Sequence, residues 1–254
     1  MGILNATPDS FFDGGKFISI ESALKRGEQI LNEGGKIIDI GGYSSRPGAV
    51  TINQKEELDR VIPIIEAIVK SFPKAVVSID TFRSQVAKQA IEAGAHMVND
   101  ISGGDADEQL FTSIAEFQVP YILMHMQGTP QNMQTAPKYD EVVTDILGIF
   151  SKKVNQLVKL GVNDIILDPG FGFGKTIEHN YEILNRFEEF NLLNLPVLAG
   201  LSRKSMIYKK LNITPEESLP ETCRLNRIAL QKGANILRVH DVKEAVQVIR
   251  DYND

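Results

Sequence analysis

The stretch Ile165-Ile166-Leu167-Asp168-Pro169-Gly170-Phe171-Gly172-Phe173-Gly174-Lys175 is an apolar run that stops at a carboxylate and continues into glycines, aromatics and a lysine. In an α/β protein, a buried parallel strand delivers an acidic side chain to the mouth of a site in this way. Pro169 and Gly170 keep the strand from continuing. An Asp-Pro-Gly after a strand is equally an ordinary turn, so the carboxylate means little without company. Two nucleotide motifs are excluded. A Walker A loop needs a glycine where Pro169 stands, and Gly170-Phe171-Gly172-Phe173-Gly174 is one residue short of GxGxxG.

The company comes from the ends of the other apolar runs. They deliver Asn5, Asp39, Asp80, Asn99 with Asp100, Met124 with His125, Ser202-Arg203-Lys204-Ser205, and Arg238 with His240. Each alone fits a satisfied core polar group or a solvated turn. As a set they suggest chemistry. Asp80, Asn99 and Asp168 suit the donor–acceptor edge of a flat heterocycle. Met124 and Phe173 could add apolar or stacking surface, although both also suit plain core. Lys204, Arg238 and His240, with Asn5 opposite, could hold an anion such as a phosphate or diphosphate. No zinc set is visible, because His96, His125, His179 and His240 have no paired spacing. A hard cation such as Mg²⁺, bridged through Asn5 to substrate oxygens, would leave little trace in a sequence.

These residues can meet only if the elements carrying them converge. Apolar runs at Gly2–Asn5, Lys36–Ile40, Ala75–Asp80, Met97–Asp100, Tyr121–His125, Ile165–Asp168, Pro196–Gly200 and Ile236–His240 read as strands. Helical spacing predicts helices over Ser19–Asn32, Asn53–Ser71, Ser84–Ala93, Asp107–Phe117, Tyr139–Leu160, Glu178–Phe190, Pro215–Lys232 and Asp241–Tyr252. Strict alternation demands parallel strands with right-handed crossovers, and eight such units close a (β/α)₈ barrel. An open doubly wound sheet is the alternative. A chain of 254 residues without a composition break is read as a single domain, 1–254.

Composition narrows the partners. A net charge of -6 argues against nucleic acid held by the whole-protein field, though not against a local basic pocket. The lone Cys223 excludes an intrachain disulfide framework. No apolar run reaches a membrane span and no leader pattern is seen, so the expected location is the cytoplasm with no membrane partner. The loops after the first two strands, with Phe11 and Asp13 in one and Ser45, Arg46 and Pro47 in the other, read as lids or as plain surface loops.

Met1-Gly-Ile-Leu-Asn-Ala-Thr-Pro-Asp-Ser-Phe11, Ile38-Asp-Ile-Gly-Gly42 with Ser45-Arg-Pro-Gly48, Leu167-Asp-Pro-Gly-Phe-Gly-Phe-Gly-Lys175, Leu201-Ser-Arg-Lys-Ser205 and Arg238-Val-His-Asp-Val242 together resemble the dihydropteroate synthases. Ser78-Ile-Asp-Thr81, Asn99-Asp-Ile101 and Leu123-Met-His-Met-Gln-Gly128 fit as well, so the resemblance spans essentially the whole chain. It implies a (β/α)₈ barrel that condenses 6-hydroxymethyl-7,8-dihydropterin diphosphate with 4-aminobenzoate in folate synthesis. By motif, Asp80, Asn99, Asp168 and Lys204 would hold the pterin, with Met124, Phe173 and Gly200 lining its slot. Asn5, Arg238 and His240 would grip the diphosphate, with Mg²⁺ on Asn5. Phe11, Ser45, Pro47, Phe173, Lys204 and Ser205 would form the aminobenzoate pocket, where sulfonamides compete. Asp80, Lys204, Arg238 and His240, with Asp13 and Arg46 from the lids, would carry catalysis. The order would be diphosphate departure first, then attack by the amine.

The chain departs from the family pattern in four places. The family's hairpin ahead of the first strand has no counterpart before Gly2, so a barrel without that floor hairpin is expected. Tyr43 stands where a Glu is common, and Ser45 replaces a common Thr. Helix seven carries Arg224 and Arg227 where the family favours small residues and forms a homodimer, so a weakened homodimer is expected. Glu221 is placed to pair with Arg224 at i,i+3. Two rival functions remain open: a methyltetrahydrofolate corrinoid methyltransferase-like barrel, and a degenerate paralogue that binds pterin without turnover.

Overall fold

The computed structural model describes residues 1–7, 19–44 and 50–253. Strands β1 (Gly2–Asn5), β2 (Ile37–Gly41), β3 (Val76–Asp80), β4 (Met97–Asp100), β5 (Tyr121–Met124) and β6 (Ile165–Asp168) lie parallel in chain order, and β7 (Leu198–Ala199) pairs in parallel with β8 (Ile236–Leu237). Two single bridges complete the ring, Leu167 to Val197 and Gly2 to Val239. The Leu167 amide donates to the Pro196 carbonyl at 2.8 Å, and the Ile3 amide to the Val239 carbonyl at 3.0 Å. Both edges of the six-stranded sheet therefore meet the β7–β8 pair. The molecule is a parallel barrel, and the open-sheet alternative falls away.

Helices α1 (Ile20–Asn32), α2 (Gln54–Ser71), α3 (Ser84–Glu92), α4 (Leu110–Phe117), α5 (Val142–Lys159), α6 (Ile177–Asn185), α7 (Ser205–Leu211), α8 (Leu219–Gln231) and α9 (Val242–Asn253) follow the strands around the outside. Ser19 and Asn53 cap α1 and α2, accepting from the amides of Ser22 and Glu56. Between sheet and helices, Ile38, Ile40, Val77, Ile79, Val98, Leu123 and Leu167 pack with Ile30, Ile64, Ile65, Ile68, Phe150 and Phe187.

A second, smaller cluster fills the barrel itself: Met97, Ile122, Ile166 and Leu198, with Met1, Ile37 and Ile236. Strand side chains alternate faces, so the residue two positions further along also points inward. Ile37 is followed in this way by Asp39, Met97 by Asn99, and Ile122 by Met124. Ile166 is followed by Asp168, Leu198 by Gly200, and Ile236 by Arg238. The apolar floor thus gives way to a polar layer at the carboxyl ends of the strands, the end where barrels carry their sites.

The helical expectations need two corrections. Helix α8 matches the one predicted over Pro215–Lys232, and α7, between β7 and α8, is an additional helix that the sequence reading lacks. The seven residues of α7 are too few to show a helical period, and Asn212 at φ 54° closes the helix. The helix predicted over Glu178–Phe190 breaks at Arg186, and a 3₁₀ segment runs from Phe187 to Leu193.

Candidate active site

Arg238 is the centre of one half of the polar layer. Its Nε donates to Asp39 Oδ2 at 2.6 Å and its Nη2 to Asp80 Oδ2 at 2.6 Å. Asn99 Nδ2 donates to the same Asp39 oxygen at 3.0 Å. Strands β2, β3, β4 and β8 are thereby tied through their side chains. Gly41, the next inward position after Asp39, leaves room for this cluster: a Cβ there would lie 3.4 Å from Asp80 Cβ. Burial pushes the Asp80 carboxyl up to about 7, with Arg238 pulling it down and Asp39 pushing it further up. Burial works against the Arg238 charge, but Asp39 and then Asp80 outweigh it and hold the guanidinium above its usual range.

Asp168 and two lysines form the other half. Asp168 is 5% exposed, and its Oδ1 accepts from the Gly170 amide at 2.8 Å. Burial raises its pKa against the pull of Lys204. Lys204 donates to the Phe171 carbonyl and sits 4.3 Å from the centre of the Phe173 ring, a cation–π contact. Burial draws the Lys204 ammonium down to about 8, with Asp168 opposing.

The loop between β6 and α6 owes its shape to Lys175, which is 3% exposed. Its ammonium reaches the carbonyls of Phe173 at 2.9 Å, Gly170 at 3.0 Å and His125 at 3.2 Å, and His125 Nδ1 at 3.0 Å. Burial, reinforced by Lys175, pushes the His125 pKa down to about 2, so the neutral ring accepts from the lysine. Gly170 at φ 70° is required here, because a Cβ would run into the His125 carbonyl. Asn180 Oδ1 accepts from the Gly172 amide at 2.6 Å, and Tyr139 donates to the Gly174 carbonyl at 2.7 Å. Phe173 is the side chain this scaffold presents.

Of the residues singled out from the sequence, Asp80, Asn99, Met124, Asp168, Gly200, Lys204 and Arg238 share the mouth of the barrel. Asn5 ends β1 beside Gly41, Ser205 opens α7, and His240 follows β8, where its amide donates to Ser202 Oγ at 3.2 Å. Phe11, Asp13, Ser45, Arg46 and Pro47 lie outside the described residues. Three other strand-end residues turn away from the mouth. Asp100 accepts from Tyr121 Oη at 2.7 Å and from the Ser102 and Gly104 amides. His125 serves Lys175. Arg203 pairs with Asp241 at 2.7 Å.

Sequence reasoning assigned no role to Asp39, Lys175 or the fully buried Glu57. Glu57 holds Thr81 and Arg83 on β3's exit, while Arg83 donates to the Ile52 carbonyl at 2.7 Å. Tyr43 is anchored next to them, edge-on to Phe82 at 5.1 Å and 5.6 Å from the Arg83 guanidinium. No three His, Cys, Asp or Glu side chains among the described residues form a metal cluster. The Asn5 amide, at the end of β1, is a neutral oxygen donor of the kind that suits a hard cation taking most of its ligands from a bound anion and water.

Residues 1–240 match the pterin binding enzyme family. The dihydropteroate synthase of Escherichia coli K12 is 46% identical over 252 residues, which is 98% of this chain and 89% of that one. The Yersinia pestis dihydropteroate synthase in complex with a sulfonamide drug superposes with a TM-score of 0.94 at 42% identity, covering 99% of this chain and 92% of that one. The Xanthomonas albilineans dihydropteroate synthase with 4-aminobenzoic acid gives 0.92 at 38% identity, covering 99% and 90%.

Proposed function

The chain belongs to the pterin-binding enzyme family, and from that premise we propose that it joins 6-hydroxymethyl-7,8-dihydropterin diphosphate to 4-aminobenzoate, giving 7,8-dihydropteroate and diphosphate. The observation that carries the reading is the single polar layer above the apolar floor. In it the carboxylates of Asp39, Asp80 and Asp168, the Asn99 amide, Lys204 and Arg238 gather at the strand ends.

The 2-amino-4-oxopyrimidine edge of a pterin offers N–H donors and a carbonyl acceptor. Asp168 takes the donors and Lys204 serves the acceptor, while Asp80 and Asn99 meet the other side of the ring. Met124 and Gly200 leave a flat slot, and Phe173 closes it from the loop. Arg238 retains its Nη1 hydrogens, which no described group accepts, and with His240 and Asn5 it receives the diphosphate. The Asn5 amide oxygen would hold a Mg²⁺ bound with that diphosphate, and the ion would lower the charge on the leaving group.

Diphosphate leaves with the electron pair of the C–O bond, and the positive charge left on the pterin methylene spreads into the ring. The Asp80 carboxylate stabilises that charge. The aromatic amine of 4-aminobenzoate then attacks and loses a proton. Phe173, Lys204 and Ser205 line the side from which it approaches, with Phe11, Ser45 and Pro47 completing the pocket. Asp13 and Arg46 act from the two lids. A sulfonamide, as bound by the Yersinia relative, competes for this pocket.

The working form is a cytoplasmic homodimer paired through α8 and its neighbours. Arg224 and Arg227 stand on that surface, 58% and 45% exposed, and weaken the pairing. A tight dimer in sedimentation at nanomolar protein would overturn the weakening.

The function is tested by mixing the protein with pterin diphosphate, Mg²⁺ and 4-aminobenzoate. Diphosphate release matched by dihydropteroate, and lost in Lys204→Ala, is the expected result. Pterin binding without product would replace the synthase by a binder.

A further inference from the structure

Asp39 touches no substrate in the mechanism above, yet it is the most enclosed charge of the polar layer, at 0% exposed. One of its oxygens takes two bonds, from Arg238 Nε and Asn99 Nδ2, and the other, Oδ1, is buried without a partner. Fold stability alone does not call for such a group. Buried ion pairs are often matched or bettered by apolar side chains of similar size, and an apolar residue here would extend the floor that Ile37 begins.

What Asp39 does determine is orientation. A guanidinium has two edges that can each grip an oxyanion: Nε with Nη2, and Nη1 with the outer hydrogen of Nη2. Asp39 and Asp80 together occupy the first edge, so the second is the one left for an incoming anion. The Asn99 amide is fixed by the same oxygen. With Nδ2 given to Asp39, the Asn99 carbonyl oxygen faces the other way, and the amide cannot exchange donor for acceptor towards the ring. We propose that Asp39 is a positioning residue that sets the anion-binding edge of Arg238 and the polarity of the Asn99 amide before pterin diphosphate arrives. This rests on the function proposed above.

The test compares Asp39→Asn with the parent protein. The variant keeps the size of the side chain but weakens the bond to Arg238 and lets the Asn99 amide turn. The expected result is a rise of about tenfold or more in KM for pterin diphosphate, the scale of one charge-assisted hydrogen bond. KM for 4-aminobenzoate stays within about twofold, since that pocket lies on the Lys204 side.

A second readout is the pH profile. Asp80 is faced by Arg238 from β8, Asp39 from β2, Glu57 from α2, Asp100 from β4 and Lys204 from the β7–α7 turn. Removing the Asp39 charge takes away one group that holds Asp80 protonated, so the acid limb of kcat/KM moves to lower pH. A merely structural role would lower kcat at every pH alike and leave both the limb and the KM ratio in place; that outcome overturns the proposal, as does an unchanged variant. Should Asp39→Asn not fold, Asp39→Ser is read in the same way, and failure of both assigns Asp39 to folding and overturns the proposal. If the parent itself forms no dihydropteroate, the proposed function fails first. Calorimetry with 6-hydroxymethylpterin then decides separately: binding about tenfold weaker in Asp39→Asn supports positioning through Asn99, and equal binding refutes it.

Discussion

The two halves of the polar layer hold their cations by opposite means. Around Arg238, two carboxylates surround one cation, and they come from strands 199 and 158 residues away in the chain. Around Asp168, two lysines attend one carboxylate, and both lysines are fixed largely by carbonyl oxygens of the single loop between β6 and α6. The first arrangement is set once the barrel closes. The second depends on the shape of a loop that must also present Phe173. Counted formally, the Arg238 side has one negative charge in excess and the Asp168 side one positive, while burial opposes ionisation on both sides, raising Asp80 and lowering Lys175. A cationic transition state matches the negative side, and a ring edge that carries both donors and an acceptor matches a carboxylate beside a lysine.

The largest effect should come from breaking the first arrangement. Arg238→Ala leaves Asp39 buried without its ion-pair partner, which costs on the order of 3–5 kcal/mol. Urea denaturation should show the loss, together with dihydropteroate formation near background. The sharper variant is Arg238→Met with Asp39→Leu. Stability should return close to the parent while activity stays absent, showing that this pair serves the chemistry. A double variant as unstable as Arg238→Ala would show that the pair serves the fold.

Breaking the second arrangement should cost less. Lys175→Met deprives the carbonyls of Gly170, Phe173 and His125 of their donor, at about 1–3 kcal/mol in all, because the loop can relax towards solvent. Phe173 loses its fixed position, so KM for 4-aminobenzoate should rise more than KM for pterin diphosphate. Equal changes in the two constants would show that the loop does not divide the site in this way.

The two halves should also titrate separately. In free enzyme Asp80 must be ionised, which requires a pH above about 7, and Lys204 must be protonated, which requires a pH below about 8. The profile of kcat/KM for pterin diphosphate should therefore be a narrow bell between those limbs. Asp80→Asn should remove the acid limb from the residual rate, and Lys204→Arg should carry the alkaline limb to higher pH. An acid limb that survives in Asp80→Asn would belong to another group.

This division was only half legible in the sequence. Alternation of apolar runs gave the barrel, and the residue ending each run gave Asp80, Asn99, Asp168 and Arg238, because a parallel strand exposes its function where it stops. What periodicity cannot show is the face on which a terminal residue lies. Asn99 and Asp100 are adjacent, yet one points into the barrel and the other out to Tyr121. Asp39 stood among the strand ends without a role, since its meaning lies in contacts with β4 and β8 that no local pattern records. Lys175 stood at the end of the Leu167–Lys175 motif without a role of its own. Its burial follows from the glycine turns that fold the loop around it, with Gly170, Gly172 and Gly174 all at positive φ.

The smallest effect sets the scale for the rest. The Glu221–Arg224 pair forms at 2.7 Å with the expected i,i+3 spacing, but Arg224 is 58% exposed. Solvent screens such a pair, and Arg224→Ala should change stability by no more than about 0.5 kcal/mol and leave turnover untouched. The contrast with Arg238→Ala is then one of burial: both arginines pair at under 3 Å, and only the one facing a fully enclosed carboxylate cannot hand its partner back to water. If Arg224→Ala unfolded the protein as readily as Arg238→Ala, burial would not be what separates the two. If it left the monomer intact but strengthened association in sedimentation, the exposed arginine would be acting on the pairing of chains and not on the barrel.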